Sequence, residues 1–402
     1  MFIHPLFTEN GNRLNWPHLL LFLAFFMCIQ VCAATLVENQ SLEWDGTERF
    51  WNAYIPENLP TRVPLVVLLH GGGQSKDKVI DPQTNPPSRK WIELADEENF
   101  IVIVPNGINN TTGSGQGDSQ SWNDGRGDNT LLQFKPDDVG FLNALLDWAE
   151  TNYPIDKNRI YFTGSSNGGF MSYRMAQELS HRIAAVAAFI ANKPAVDTSG
   201  DPEFPVSVFI CNGSGETLYV PWAGGFVVNS PSRGSVLSAP ATRDYWVAVN
   251  NCNPEPEITN FPDTVPSDNS TVFRQLFTGG DDGTEVAFYT VVDGGHVLPS
   301  AAHPYNQFNL NQLGLGIQNR DIEAINQAWD FLSRQTLGVT RPSVKGWMSL
   351  DRYPYVWSED EQGWLYFSPT DAGIWIYSFT YQRWSFLDQV GNRVTPEQQN
   401  LD

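Results

Sequence analysis

A chain of 402 residues is long enough for one large catalytic domain and a small appendage, because single hydrophobic cores stop growing at about 250 to 300 residues. A composition with 41% hydrophobic and 17% charged residues is that of an ordinary globular protein and argues against general disorder. The formal net charge of −21 disfavours nucleic acid and anionic membrane surfaces as partners, so a neutral or cationic substrate is expected.

The first element in chain order is an apolar run near the amino terminus, from Leu19 to Val31. It is too short to span a bilayer comfortably, and Val31 and Ala33 have the spacing that precedes a cleavage site. We therefore predict a signal peptide over residues 1–33 and a secreted protein, either extracellular or periplasmic. A retained membrane anchor is the alternative.

The next segments have the polarity patterns of β-strands. Leu36 to Ile55 alternates around Asp45-Gly46, which predicts an antiparallel hairpin at the edge of a sheet. Continuous apolar runs that follow are typical of strands buried on both faces of a parallel sheet. These runs are Val63 to Leu69, Ile101 to Pro105, Ile160 to Thr163, Ile183 to Ile190 and Val206 to Cys211, with two later candidates at Thr271 to Thr278 and Glu285 to Val292.

Helical patterns alternate with these strands. They cover Lys90 to Glu98, Asp138 to Thr151, Gly168 to Ser180, Ala241 to Asn250 and Asp321 to Gln335. This alternation predicts a layered α/β domain with a mostly parallel central sheet over residues 34–337. Asp137-Asp138 is interpreted as a helix cap, and the polar, glycine-rich stretch from Asn106 to Gly127 as a long surface loop at a functional rim.

The carboxyl-terminal part of the chain has a different composition. Residues 338–345 form a Gly/Pro/Ser connector, and residues 346–402 carry many tryptophans and tyrosines in short alternating runs. The runs predict a small antiparallel β module of two or three hairpins. Its aromatic rings either form a platform that contacts a polymer or sugar, or simply make the core of a short module.

Two cysteines, Cys211 and Cys252, remain after removal of the signal peptide. Disulfides persist in exported proteins, so one bridge between them is predicted. Two buried free thiols are the alternative, because sequence does not show how close the two Cα atoms lie.

The strongest chemical motif is Gly164-Ser165-Ser166-Asn167-Gly168, which follows an apolar run and precedes a helical pattern. A serine in such a strand-turn-helix is held in a strained, exposed conformation. Glycines are needed on both sides because strand and helix pass closely there. Ser166 is therefore the candidate nucleophile.

Two backbone N–H groups are candidates for an oxyanion hole. His70-Gly71-Gly72-Gly73 follows the buried strand that ends at Leu69, where a glycine-rich loop can approach a substrate closely. We assign one donor to the Gly72 region and the other to Asn167, the residue after the nucleophile. Each such donor contributes about 10²- to 10³-fold in rate.

The general base is sought downstream of the nucleophile. In a triad with the chain order Ser, acid, His, the base lies after the acid. Only His296 and His303 lie far enough downstream to do so. His296 closes the tight turn Asp293-Gly294-Gly295-His296 directly after the last predicted strand, so it is the candidate base.

The acid is expected on the loop after the strand that ends at Cys211. Glu216 is the only carboxylate there, with Asp244 and Asp263 as more distant alternatives. Its role would be to orient the His296 ring and stabilise the imidazolium.

The remaining histidines and cysteines lack the spacing of metal ligands. Phosphate-cradling and dinucleotide-binding loops are lacking too, so we expect no metal and no cofactor.

Read together, these motifs resemble the extracellular poly(3-hydroxybutyrate) depolymerases and feruloyl esterases of the α/β-hydrolase fold. The resemblance spans Leu36 to Gln335. It rests on the Asp45-Gly46 hairpin, LLHGGGQS from Leu68, SWND from Ser121, DDVGFL from Asp137, YFTGSSNGGFMSYRMA from Tyr161, VPWAGG from Val220, NNC ending at Cys252 and GGH from Gly294. It implies an α/β-hydrolase whose triad comprises Ser166, His296 and an acid before VPWAGG.

Two positions depart from the pattern of the family. Alignment on Val220 puts Thr217 where the family has its aspartate, so Glu216 serves only if the loop shifts by one residue. After GGH the family has an aromatic residue and a proline, whereas Val297-Leu298-Pro299 lacks the ring, which would alter the acyl pocket.

The sequence thus predicts a secreted serine esterase that works through an acyl-enzyme and resembles polyhydroxybutyrate depolymerases. A feruloyl or acetyl xylan esterase is the alternative within the same class. From another class, the alternative is an inactive hydrolase fold that binds polymer or carbohydrate, because the acid position is imperfect and the tail is rich in aromatic residues. The expected partner is a polymeric or small ester, with possible polymer contact through the aromatic module.

Overall fold

The computed structural model describes residues 34–337 and, beyond them, the backbone of five strands. The strands are, in chain order, β1 (Thr35–Trp44), β2 (Thr47–Ile55), β3 (Val63–Leu69), β4 (Ile101–Pro105), β5 (Ile155–Ser165), β6 (Ala185–Phe189), β7 (Ser207–Gly213), β8 (Gly225–Phe226), β9 (Ser235–Val236), β10 (Glu257–Asn260), β11 (Thr271–Phe277), β12 (Val286–Val292), β13 (Tyr355–Ser358), β14 (Gly363–Thr370), β15 (Gly373–Ser378), β16 (Arg383–Asp388) and β17 (Arg393–Val394).

A ten-stranded sheet forms the centre of the fold, in the order β1-β2-β4-β3-β5-β6-β7-β12-β11-β10. Its middle, from β4 to β12, is parallel. The edges are antiparallel: the hairpin of β1 and β2 turns at Asp45 and Gly46, both with positive φ, and β10 and β11 close the other side. The predicted α/β-hydrolase fold with a mostly parallel sheet and an edge hairpin is confirmed.

Helices cover both faces of the sheet. They are α1 (Lys90–Glu98), α2 (Asp138–Asn152), α3 (Asn167–Glu178), α4 (Ala239–Val249), α5 (Gln307–Gln312) and α6 (Ala324–Leu332). Side chains alternate along each strand, so Leu65 packs on the face with α2, α3 and α4, whereas Val66 packs on the face with α1 and α6. The short helix α5 was not predicted from the sequence.

The two cysteines of the described residues are free thiols, so the predicted disulfide is wrong. Cys211 packs on the face of the sheet that α1 and α6 cover, whereas Cys252 packs on the opposite face. Because the sheet itself separates the two sulfur atoms, no bridge can form without moving a strand. Burial raises the pKa of the Cys211 thiol to about 12, so it is an inert core side chain.

The pair Asp137-Asp138 is only partly the predicted helix cap. Asp137 caps α2, since its Oδ1 accepts a hydrogen bond from the Gly140 N–H (2.9 Å). Asp138 instead forms a buried ion pair with Arg49 of β2 (2.6 Å) and accepts from the Asn123 N–H (2.7 Å). This pair fixes the long loop between β4 and α2 to the sheet edge.

Outside the central sheet, β8 pairs with β9, and β13 to β17 form an antiparallel five-stranded sheet in sequential order. The predicted small β appendage is therefore confirmed, while the boundaries at residues 338–345 and 346–402 stay predictions. The predicted signal peptide lies outside the described residues. Among the described helices, none combines the length and the apolar character needed to cross a bilayer.

Candidate active site

Ser166 lies in a strained turn between β5 and α3. Its φ of 53° and ψ of −119° place it where non-glycine residues rarely occur, and its N–H donates to the Phe189 carbonyl (3.0 Å). The turn therefore has the strained strand-to-helix geometry of a nucleophile elbow. It lies at the carboxyl edge of the parallel strands.

The glycines around Ser166 are required by close packing. A Cβ on Gly164 would lie 2.6 Å from the carbonyl carbon of Gly168, and a Cβ on Gly168 would collide with the carbonyl oxygen of Leu69. The helix thus begins almost in contact with β3 and β5. This is the close passage of strand and helix that the motif predicted.

Gly72 lies beside the first residue of α3. A Cβ on Gly72 would be 3.5 Å from the Asn167 Cβ, an ordinary contact. The N–H groups on either side are engaged, since Gly71 donates to Gln74 Oε1 (3.1 Å) and Gly73 donates to the Gln120 carbonyl (2.8 Å). The Asn167 N–H has no intrahelical acceptor because it opens the helix. Gly72 and Asn167, the two residues predicted to donate to the oxyanion, are thus neighbours in space.

His70 connects this glycine loop to the chain after β4. It is fully buried, its Nδ1 contacts the Gly71 carbonyl (2.8 Å), and its Nε2 accepts from the Gly107 N–H (3.0 Å). Burial lowers the pKa of His70 to about 4, so the ring is neutral at ordinary pH. Its role is structural.

Glu216 faces His296 on the loop after β7. Its Oε2 lies 3.0 Å from His296 Nδ1, and both side chains are buried. Its Oε1 accepts from the N–H groups of Leu218 (2.6 Å) and Tyr219 (2.8 Å). Burial alone would raise the pKa of Glu216, but His296 and these two N–H groups outweigh it, so the pKa lies below its ordinary value.

The loop register decides which residue serves as the partner of His296. Glu216 is buried beside the imidazole, whereas Thr217 is exposed to solvent. The alternative carboxylates lie elsewhere: Asp244 is exposed and pairs with Arg243 (2.7 Å), and Asp263 is exposed. Of the three candidate acids, the structure brings only Glu216 into contact with His296.

Backbone packing joins the Glu216 loop to the His296 loop. The Gly215 N–H donates to the Gly294 carbonyl (2.9 Å), and a Cβ on Gly215 would lie 2.7 Å from the Asp293 carbonyl oxygen. Since β7 and β12 are parallel neighbours, both loops leave the same edge of the sheet. Ser166 follows β5, two strands from β7, at that edge.

Tyr219 is a site residue that the sequence did not indicate. Its ring stacks on the His296 imidazole, with centroids 5.0 Å apart and planes inclined by 20°. Its hydroxyl donates to the Leu313 carbonyl (2.7 Å), and the backbone N–H of His296 donates to the Leu315 carbonyl (2.6 Å). The imidazole is thus held between a carboxylate and an aromatic face.

The other downstream histidine, His303, lies away from this cluster. Its Nε2 is 3.3 Å from Glu93 of α1. Among the described side chains, no group of three His, Cys, Asp or Glu residues is arranged to hold a metal ion.

Comparison with known proteins gives esterases and a depolymerase. The chain is 28% identical over 173 residues to the bifunctional acetylxylan esterase/xylanase XynS20E of Neocallimastix patriciarum, covering 43% of this chain and 22% of that protein. It is 23% identical to feruloyl esterase D of Neurospora crassa (72% and 83% covered). It is 26% identical to poly(3-hydroxyalkanoate) depolymerase C of Paucimonas lemoignei (67% and 63% covered). The resemblance to feruloyl esterases and polyhydroxyalkanoate depolymerases is confirmed.

The remaining comparisons are less specific. No family model matches the chain. The acetyl xylan esterase of Aspergillus awamori aligns in structure over 70% of this chain and 100% of its own, with 17% identity and a TM-score of 0.43. The chain spans about a fifth of the first relative named above and between 63% and 83% of the other two. The named relatives indicate an esterase.

Proposed function

We propose that this chain is a serine esterase that hydrolyses carboxylic esters through an acyl-enzyme. The contact between Glu216 and His296, on the loops after two parallel strands, is the observation that carries the proposal. The elbow that holds Ser166 opens at the same edge of the sheet. A nucleophile, a carboxylate and an imidazole, in this order along the chain, are the parts that acyl transfer requires.

In the first half of the reaction, His296 Nε2 takes the proton of Ser166 as Oγ attacks the ester carbonyl. The tetrahedral intermediate then collapses, the C–O bond to the alcohol breaks, and His296 returns the proton to the leaving oxygen. Glu216 stays ionised, consistent with the lowered pKa of its carboxyl group, and stabilises the imidazolium. In the second half, water attacks the acyl-enzyme with His296 again as base, which releases the acid and restores Ser166.

The negative charge on the carbonyl oxygen needs donors that are already in place. The N–H groups of Asn167 and Gly72 are proposed for this role, because Asn167 directly follows the nucleophile and Gly72, in the glycine loop, lies beside it in space. Donors fixed before the reaction stabilise the transition state more than the ground state. No cofactor enters these steps.

Within this class, a polyester of the polyhydroxybutyrate kind is the proposed substrate, with feruloylated or acetylated xylan as the alternative. The alignment with the poly(3-hydroxyalkanoate) depolymerase, over 67% of this chain, supports the first, and that with feruloyl esterase D supports the second. The apolar run Leu19 to Val31 supports export to meet such a polymer. Nearly all side chains of the aromatic tail lie outside those that the structure describes, so polymer contact through the tail stays a prediction without support from the comparisons.

A binding protein without activity is the weaker alternative. Two features favour it, the missing aspartate at Thr217 and the aromatic tail. The contact of Glu216 with His296 weakens the first, and nearly all side chains of the tail lie outside those that the structure describes. Covalent labelling tests the choice: a fluorophosphonate probe should modify the wild type at Ser166, as read by peptide mass spectrometry, and should not label Ser166→Ala. A wild type that resists the probe would favour the binding protein.

A further inference from the structure

The loop from Trp122 to Arg126 lies between the two segments that carry the proposed oxyanion donors. Trp122 is fully buried and bonds to both. Its Nε1 donates to the His70 carbonyl (3.0 Å), at the base of the Gly72 loop. Its backbone N–H donates to Asn167 Oδ1 (2.7 Å), and its carbonyl accepts from Asn167 Nδ2 (3.1 Å). One loop residue thus connects the Gly72 loop to the start of α3.

A buried carboxylate completes this connection. Asn167 Nδ2 also donates to Asp124 Oδ2 (2.6 Å), and Asp124 is only 1% exposed. Arg126 holds the carboxylate through Nε (3.0 Å to Oδ1) and a terminal nitrogen (2.7 Å to Oδ2). The Arg126 guanidinium in turn lies 4.7 Å over the Phe170 ring of α3. Asp124 is therefore a fixed anionic acceptor for the Asn167 amide.

We propose that Asp124 is a positioning residue for the oxyanion hole, acting through the side chain of Asn167. The inference rests on the proposed serine esterase function. Three hydrogen bonds hold the Asn167 amide in one rotamer, and the same residue offers the backbone N–H next to Gly72. Fixing that residue fixes the direction of its N–H relative to the developing oxyanion.

A positioning role makes a specific kinetic prediction. The Asn167 N–H meets full negative charge only in the transition state, so its misplacement should lower kcat and leave KM nearly unchanged. Asn167→Ala removes the side chain but keeps the backbone N–H and the Asp124–Arg126 pair. We expect kcat to fall roughly tenfold or more, with KM within about threefold of the wild type.

Asn250→Ala is the matched control. Asn250 is fully buried and makes the same two-point contact with a backbone, since its amide accepts from the Val206 N–H (3.1 Å) and donates to the Val206 carbonyl (2.7 Å). It lies after α4, on the loop that abuts the start of the β7 segment and not on the elbow. The two variants should lower Tm similarly, but Asn250→Ala should keep the kcat of the wild type.

A second variant gives a readout that simple structural damage would not. Asn167→Asp sets a carboxylate against Asp124, and two adjacent carboxylates cannot both be ionised at low cost. Its kcat relative to that of the wild type should rise as the pH falls, because one shared proton restores the hydrogen bond. Adding Asp124→Asn removes one of the two facing carboxylates, so it should abolish this extra pH dependence. It should recover kcat only in part, because a carboxylate at position 167 cannot donate to the Trp122 carbonyl.

These outcomes separate the inference from the function on which it rests. Equal kcat values for Asn167→Ala and Asn250→Ala, or an Asn167→Asp variant whose kcat relative to that of the wild type does not depend on pH, would overturn the positioning role alone. Activity that survives Ser166→Ala would overturn the serine mechanism and the positioning role with it. If Asn167→Ala does not fold, the pH dependence of Asn167→Asp, with and without Asp124→Asn, still decides the matter.

Discussion

Glu216 Oε2 lies 3.0 Å from His296 Nδ1, although the ungapped alignment of motifs puts Thr217 at the acid position. The Glu216 side chain is one methylene longer than aspartate. Its Oε2 reaches the imidazole, while its Oε1 accepts hydrogen bonds from the N–H groups of Leu218 and Tyr219. A loop shifted by one residue thus still presents a carboxylate to the imidazole.

Glu216→Gln should lower kcat/KM by about 10²- to 10⁴-fold, because the amide can neither orient the imidazole correctly nor stabilise its cation. Steady-state hydrolysis of a soluble ester measures the effect. Thr217→Val is the control, since Thr217 is exposed, and it should leave kcat/KM unchanged. A large loss of kcat/KM from Thr217→Val alone would show that the assignment of the acid to Glu216 is wrong.

Tyr219→Leu should lower kcat about 2- to 10-fold, because the imidazole loses an aromatic face that its cation favours. Tyr219→Phe keeps the ring and loses only the hydroxyl bond to the Leu313 carbonyl, so it should retain most of kcat. Parallel kinetics of the two variants make the comparison. Equal losses in both would show that the hydroxyl bond, and not the stacking, matters.

His70 should make the fold sensitive to mild acid. Burial lowers the pKa of His70 to about 4, while an exposed histidine in the unfolded chain titrates near 6.5. Its neutral form therefore contributes stability that is complete above about pH 6.5 and is lost as the pH falls towards 4, by about 3 kcal/mol. Urea unfolding across this range measures the loss, which should be smaller in His70→Gln. An identical pH dependence in both proteins would contradict the assignment.

Gly168→Ala should destabilise the fold by about 3 kcal/mol, because its Cβ would meet the carbonyl oxygens of Leu69 and His70. Gly72→Ala is the matched comparison. Its Cβ would make only an ordinary contact with Asn167, so its free energy of unfolding should stay within about 1 kcal/mol of the wild type. Thermal unfolding of both variants tests this, and similar Tm values would contradict the packing described for the elbow.

Cys211 and Cys252 should react with an alkylating reagent in unfolded protein without prior reduction, because both are free thiols on opposite faces of the sheet. Peptide mass spectrometry reads the modification. In the native protein, burial should protect both. Alkylation that requires a reductant would restore the disulfide that the sequence predicted.

Most of the central fold could be predicted because buried parallel strands are continuous apolar runs. Lys90–Glu98 was predicted to the residue, and β3 likewise, since both carry unbroken patterns. The helix α5 was not predicted, because its six residues are mainly amides and lack helical apolar periodicity. The edge strand β10 was not predicted either, because it is four residues long and mostly exposed.

The candidate site was predicted unevenly for a physical reason. Ser166 and His296 sit in turns whose glycines the packing demands, so their motifs are visible in the sequence. The partner of His296 depends on the register of one loop, which no local pattern encodes. Tyr219 and Asp124 act through contacts that form only in the folded protein. The predicted disulfide was wrong because the sheet separates the two cysteines, and the sequence does not show on which face each of them packs.

The most direct test of the account is hydrolysis of p-nitrophenyl acyl esters, methyl ferulate and a poly(3-hydroxybutyrate) suspension by the wild type and by Ser166→Ala. The account predicts that the wild type cleaves at least one of these esters and that Ser166→Ala, folded to the same Tm, loses that activity by 10³-fold or more. Hydrolysis by Ser166→Ala at the rate of the wild type, or a wild type inactive on all three, would contradict it.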